Sequence, residues 1–167
     1  KKDLTSDPVL GIPLAGSKRE LWCDASESGV AGVVIQHYDV KQPDGTIIQK
    51  RNCLGYTSRV LSKSEKNYGI ARLELTSVAH SLKWFKVFLF LEHFKLYLDS
   101  TVVSSWLKSP KPAPSKHVCR LLEYISTFSF DVVRCGTAEN IADFFSRAAD
   151  EKTPILGQFP LENENNI

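Results

Sequence analysis

The stretch ELWCDASESGVAGVVIQH, residues 20–37, sets the frame for the rest of the chain. Leu21 and Cys23 share one face of an extended run, and Glu20, Trp22 and Asp24 share the other, as a period of two requires. Ser28-Gly29 breaks the run, and Val30, Val33, Val34 and Ile35 restart it, which predicts a strand, a tight turn and a second strand. Downstream, Asp44-Gly45 is a hairpin signal followed by Thr46-Ile47-Ile48 and a third extended run to about Ser58. Three antiparallel strands therefore open the domain.

Ser62-Lys63-Ser64-Glu65 matches a capping box. Behind it Leu75, Val78, Ala79, Leu82, Phe85 and Leu89 recur at helical spacing, predicting one long helix over about 64–90. Phe94, Leu96 and Leu98 alternate into a fourth strand that stops at Asp99-Ser100, and a short helix through Val103, Trp106 and Leu107 follows. Pro110, Pro112 and Pro114 force a non-helical connection. His117 to Ser126 reads as another helix, Phe128 to Arg134 as a fifth strand and Asn140 to Ala149 as a last helix. The order β-β-β-α-β-α-α-β-α predicts an α/β fold: a five-stranded mixed sheet with helices on both faces, since one-sided strands and amphipathic helices must bury their apolar sides against each other.

With 167 residues and 43% hydrophobic content, one well-buried core is expected. The expected layout is a connecting segment over 1–19, the domain proper over 20–149 and a linker over 150–167, where Pro154, Gly157 and Pro160 interrupt any periodicity. The net charge of +2 gives no general affinity for polyanions, so a basic surface has to be local. Cys23, Cys53, Cys119 and Cys135 lack the spacing of a zinc site or a disulfide framework and read as free thiols. Trp84 to Leu91, interrupted by Lys86, falls well short of the ~20 apolar residues that span a bilayer, so no membrane partner is expected. The N-terminal Lys1-Lys2-Asp3 stretch does not read as a signal peptide.

Four carboxylates fall at positions that chemistry could use. Asp24 interrupts the first strand, Glu74 sits mid-helix beside the apolar stripe, Asp99 ends the fourth strand and Asp143 occupies the first turn of the last helix. Each also has a structural reading: an outward strand residue, a solvated helix residue, a turn acid, and a carboxylate favoured by the helix dipole. Together they offer the hard oxygen ligands that a pair of divalent cations such as Mg²⁺ prefers, and the scarcity of His argues against zinc. If they share metals, the four should converge on one side of the sheet.

These residues also carry a resemblance. Asp24-Ala25-Ser26, Gly29 and Gly32-Val33-Val34-Ile35-Gln36 resemble the opening of ribonuclease H domains in gypsy-type LTR retrotransposons. Ser58-Arg59-Val60-Leu61-Ser62, Glu65-Lys66-Asn67-Tyr68, Arg72-Leu73-Glu74-Leu75, Tyr97-Leu98-Asp99-Ser100 and Ala142-Asp143-Phe144-Phe145-Ser146-Arg147 are similar to later motifs of that family, in the same order. Arg72-Leu73-Glu74 and Asn140 look closer to Pao-type or caulimovirus-like sequences. The resemblance implies the ribonuclease H fold and a two-metal site of Asp24, Glu74, Asp99 and Asp143 holding two Mg²⁺, with Mn²⁺ as a substitute. It further implies cleavage of the RNA strand of RNA–DNA hybrids beside a reverse transcriptase polymerase domain in the same polyprotein, in the cytoplasm and within virus-like particles.

Many ribonucleases H carry a His shortly before the last aspartate; Val132-Val133-Arg134-Cys135-Gly136 has none, and Arg134 stands in that neighbourhood. Candidate nucleic-acid contacts are Ser26, Ser28, Arg59, Asn67, Arg72, Arg134 and Arg147, directed at phosphates and groove shape. Each could equally be a solvated surface group, and so could Lys83, Lys86, Lys108, Lys111 and Lys116. Trp84 and Trp106 read as core and His117 as a surface residue at a helix start. The rival readings are a non-catalytic ribonuclease H-like connection or docking domain, distinguished by loss of acids, and a two-carboxylate glycosidase, distinguished by metal independence.

Overall fold

The computed structural model describes residues 10–108, 115–136 and 139–147. Three antiparallel strands come first: β1 (Lys18–Ala25), β2 (Gly29–Lys41) and β3 (Ile47–Val60). The β2–β3 connection turns at Gly45, whose φ of +88° suits a residue without a Cβ, and Asp44 Oδ1 accepts the Thr46 N–H at 2.9 Å. Val34 pairs with Gly55 and Ile35 with Cys53, so Leu54 is an extra residue on β3, a bulge whose side chain is buried in the core.

Then follow α1 (Ile70–Trp84), the one-turn α2 (Lys86–Leu89), β4 (His93–Leu98), α3 (Thr101–Lys108), α4 (Lys116–Ile125), β5 (Ser129–Arg134) and α5 (Asp143–Arg147). The sheet order is β3-β2-β1-β4-β5, with β4 parallel to both β1 and β5. From β1 the chain thus builds the sheet outward in both directions, which makes the carboxyl ends of β1 and β4 a topological switch point.

The helix expected over 64–90 is in fact three pieces. The capping box forms: Glu65 Oε2 accepts the Ser62 N–H at 2.8 Å and Ser62 Oγ accepts the Glu65 N–H at 3.3 Å. It closes only a 3-10 turn, Glu65–Asn67, because Gly69 is extended at φ −66°, ψ 154° and α1 restarts behind it. Phe85, at φ −94°, ψ 17°, divides α1 from α2, and Leu91, at φ +69°, ends the segment. The last helix begins at Asp143, later than the expected Asn140; its expected end at Ala149, the proline cluster and the segments 1–9 and 150–167 lie outside the described residues.

One face of the sheet, with Leu21, Cys23 and Val34, packs under α1, whose Leu75, Val78 and Leu82 fill the core with Phe85. Close approach is possible because Gly32 lies under Ser81 and Gly55 under Phe85. A buried Leu of this kind contributes about 1.5–3 kcal/mol through apolar transfer. α3 and α4 pack beside α1, with Val103 and Ile125 fully buried. The alternation of β1 turns Asp24 to the opposite face, where α5 lies across the opening strands: Ser58 Oγ donates to Phe145 O at 2.8 Å and Ser26 Oγ to Ser146 O at 2.8 Å. Trp84, read from sequence as core, is instead 37% exposed, whereas Trp106 packs against the core.

Candidate active site

Burial at the switch point begins with backbone. Ser77, fully buried on α1, places its Oγ 2.7 Å from Asp24 O and 2.9 Å from Ala31 O, fixing the helix against the end of β1. This docking turns Glu74, one helical turn earlier, toward the same end of the sheet. Asp99 follows β4 directly, and because β1 and β4 run parallel in register, Trp22 opposite Tyr97, it comes level with Asp24. One carboxylate oxygen from each of Asp24, Glu74 and Asp99 lies within 4.8 Å of the other two.

Neither Asp24 nor Glu74 is the solvated side chain that a sequence permits: they are 3% and 5% exposed. Burial, reinforced by the charges of Asp99 and Asp24, pushes the Glu74 carboxyl from its usual 4.5 up to about 9. Burial likewise raises Asp24 from 3.8 to about 6; a hydrogen bond from Ser146 opposes the shift and the charges of Asp143 and Asp99 add to it. Glu74 Oε2 is buried and has no hydrogen-bond partner among the described residues. Acids kept this close and this dry, one with an unpaired oxygen, suit a positively charged occupant better than they suit each other.

Asp143 stands beside this trio, close enough for its charge to act on Asp24, but its Oδ1 accepts Arg147 Nε at 2.8 Å and it is not one of the three clustered acids. Two residues with no role in the sequence reading meet Asp24 from the α5 region. Buried Asn140 donates from Nδ2 to Asp24 Oδ1 at 3.2 Å and to Cys23 O at 2.9 Å, and Ser146 Oγ donates to Asp24 Oδ2. The available signal was a pair of small polar residues bracketing Asp143 at three-residue spacing.

The candidate nucleic-acid contacts divide into two groups. Arg59 is committed to Glu65 by two hydrogen bonds, at 2.8 and 2.7 Å, and Ser26 holds the β1–β2 turn by accepting the Ser28 and Gly29 N–H groups. Arg72 lays its guanidinium over the Tyr68 ring at 3.4 Å, and the half-buried His117 ring is tilted against the same tyrosine at 5.7 Å. Ser28, Asn67, Arg134 and Arg147 are exposed, Arg147 while paired with Asp143. Lys83, Lys86, Lys108 and Lys116 are exposed, and Lys111 lies outside the described residues.

Residues 16–128 match the family described as the RNase H-like domain found in reverse transcriptase. The Tf2-3 polyprotein of Schizosaccharomyces pombe is 30% identical over 169 residues, covering 99% of this chain, and this chain spans only 12% of that relative's length. Among solved structures, the N-terminal RNase H domain of Rv2228c from Mycobacterium tuberculosis superposes with a TM-score of 0.57 at 15% identity, over 80% of this chain and 94% of that one. LC11-RNase H1 in complex with an RNA/DNA hybrid superposes with a TM-score of 0.51 at 12% identity, over 80% and 95%. At such identities the structural matches establish the five-stranded mixed fold.

Proposed function

The chain belongs to the family of RNase H-like domains found in reverse transcriptases, and from that premise we propose that it hydrolyses the RNA strand of RNA–DNA hybrids endonucleolytically, with two divalent cations, as one unit of a retroelement polyprotein. The observation that carries this reading is the convergence of Asp24, Glu74 and Asp99 within 4.8 Å, with a buried, unpartnered oxygen on Glu74.

The donor set fits hard cations. Every candidate ligand is a carboxylate oxygen, which suits Mg²⁺ or Mn²⁺ and gives no preference to zinc. Asp24, Glu74 and Asp99 would hold the ions, with Asp143 contributing from α5. Bound there, the cations would supply an activated water and neutralise charge on the departing 3′ oxygen.

The protein's own residues prepare the ground for that chemistry. The β1–β4 register fixes Asp24 and Asp99, α1 brings Glu74 to them, and the buried floor raises the strength of any charge interaction. Arg147, held on Asp143, puts a cation at the exposed rim where a phosphate would arrive. Ser28, Asn67 and Arg134 are further exposed groups suited to backbone contacts, and Arg72 presents a guanidinium already fixed on Tyr68. A hybrid as partner is the reading that family membership favours, and LC11-RNase H1, which shares the fold, was solved with one. With a net charge of +2, such contacts give weak, salt-sensitive binding, and a linked polymerase unit would raise the local hybrid concentration. Among the described residues no helix is long and apolar enough to cross a membrane; residence within a cytoplasmic particle is part of the same proposal.

The test is incubation of the purified chain with end-labelled RNA–DNA hybrid, single-stranded RNA and duplex DNA, each with and without Mg²⁺. Mg²⁺-dependent fragments of RNA from the hybrid alone are expected. Metal-independent cleavage, or no cleavage of the hybrid at any Mg²⁺ concentration, would contradict the proposal.

A further inference from the structure

Asp24 reaches its place from the carboxyl end of the first strand, yet both its oxygens are held by residues from far along the chain. Ser146 Oγ donates to Oδ2 and Asn140 Nδ2 to Oδ1 at 3.2 Å, across 122 and 116 residues of sequence. Each donor is oriented in turn. The Asn140 Oδ1 accepts the Ala142 N–H at 3.1 Å, which fixes the amide so that its two protons point at Asp24 and at Cys23 O. Ser146 Oγ also lies 3.0 Å from Asp143 O, but a hydroxyl has one proton, and a carboxylate is the stronger acceptor. Asn140 and Ser146 are 5% and 0% exposed, so neither is a surface residue that meets Asp24 by chance.

The arrangement is more than a fastening for α5. That helix is already tied to the strands by Ser58 Oγ to Phe145 O and Ser26 Oγ to Ser146 O, and by the stacking of Phe145 on Tyr56. The two bonds to Asp24 set instead the plane of its carboxylate, one oxygen of which lies within 4.8 Å of an oxygen of Glu74 and of Asp99. They also tie that plane to the helix that carries Asp143. We infer that Asn140 and Ser146 are positioning residues for the metal site, orienting Asp24 and linking its placement to that of Asp143. This rests on the reading of Asp24, Glu74 and Asp99 as cation ligands. Residues that orient a ligating carboxylate commonly govern metal affinity by 10–100-fold when removed.

The experiment is Mn²⁺ binding to the whole chain, followed by electron paramagnetic resonance without any substrate, for wild type, Asp24→Asn, Ser146→Ala and Asn140→Ala, with a melting curve for each. Ser146→Ala keeps the helix and the backbone contacts, so it decides the matter even if Asn140→Ala does not fold. The expected result is Mn²⁺ affinity about tenfold weaker in Ser146→Ala, with melting little changed. The Mg²⁺ concentration for half-maximal hybrid cleavage should rise in parallel, with the KM for hybrid unmoved. Wild-type Mn²⁺ affinity in folded Ser146→Ala, alongside loss of binding in Asp24→Asn, would overturn the positioning role while leaving the metal site standing. Asp24→Asn binding as well as wild type, or wild type binding no Mn²⁺, would overturn the metal site and this inference with it.

Discussion

Asp24 and Asp99 stand level with each other on adjacent parallel strands, each two residues beyond the paired positions Trp22 and Tyr97. Strand register alone therefore sets two of the clustered acids. The third, Glu74, depends on how closely α1 can approach, and the fourth, Asp143, on how α5 crosses the other face.

The approach of α1 is testable at Gly32. A Cβ there would lie 2.1 Å from Ser81 Oγ and 2.6 Å from Ser81 Cβ, and only the hydroxyl can rotate away. Gly32→Ala should cost about 1–3 kcal/mol as the helix is forced outward. It should also weaken Mn²⁺ binding by lifting Glu74. A denaturant melt and a metal titration check both, and a variant as stable as wild type would show that the helix has slack.

The pH dependence of stability follows from the buried acids. Asp24 is raised from 3.8 to about 6 and Glu74 from 4.5 to about 9, so the folded state holds these protons more tightly than the unfolded state. Their contribution is complete below pH ~4 and is lost as pH rises, for Asp24 up to about 6 and for Glu74 up to about 9. Without metal, melting temperature should fall through that window. Excess Mg²⁺ should counter the fall and stabilise more at pH 8 than at pH 5, because only the ionised acids bind it. Equal Mg²⁺ stabilisation at both values would speak against ligation by these groups.

The opposite sign holds for Glu65. Two hydrogen bonds from Arg59, with a further one from the Ser62 N–H, hold its carboxyl at about 2, below its usual 4.5. Its stabilisation is present above pH ~4.5 and disappears as pH falls toward about 2. Glu65→Ala should cost about 1–2 kcal/mol near neutrality through loss of the cap and the ion pair. The deficit should shrink on acidification, as urea melts across pH would reveal, and a constant deficit would assign the loss to packing.

The strands were legible because one-sided burial writes an alternation that survives without any partner, as in Leu21, Cys23 and Val34. Apolar spacing predicts one helix over 64–90 because it does not register the extended ψ of 154° at Gly69 or the break at Phe85. Of the four acids, Asp99 and Asp143 stand at element ends that local signals mark. Glu74 sits one residue off the apolar stripe, and it is buried through the docking of α1 at Ser77 and its close approach over Gly32, which periodicity does not encode. Asn140 and Ser146 were invisible as partners of Asp24, since a contact across more than a hundred residues leaves no local trace.

Cation ligation by Asp99 is tested by the Asp99→Asn variant, read in two ways at once. The substitution keeps volume and some hydrogen bonding and removes the charge. If Asp99 is a cation ligand, melting without metal should be unchanged or slightly higher, as repulsion with Glu74 and Asp24 falls. Cleavage of an RNA–DNA hybrid in excess Mg²⁺ should then be abolished. A folded Asp99→Asn protein that still cuts the hybrid at close to the wild-type rate would contradict metal-dependent hydrolysis at the Asp24, Glu74 and Asp99 cluster.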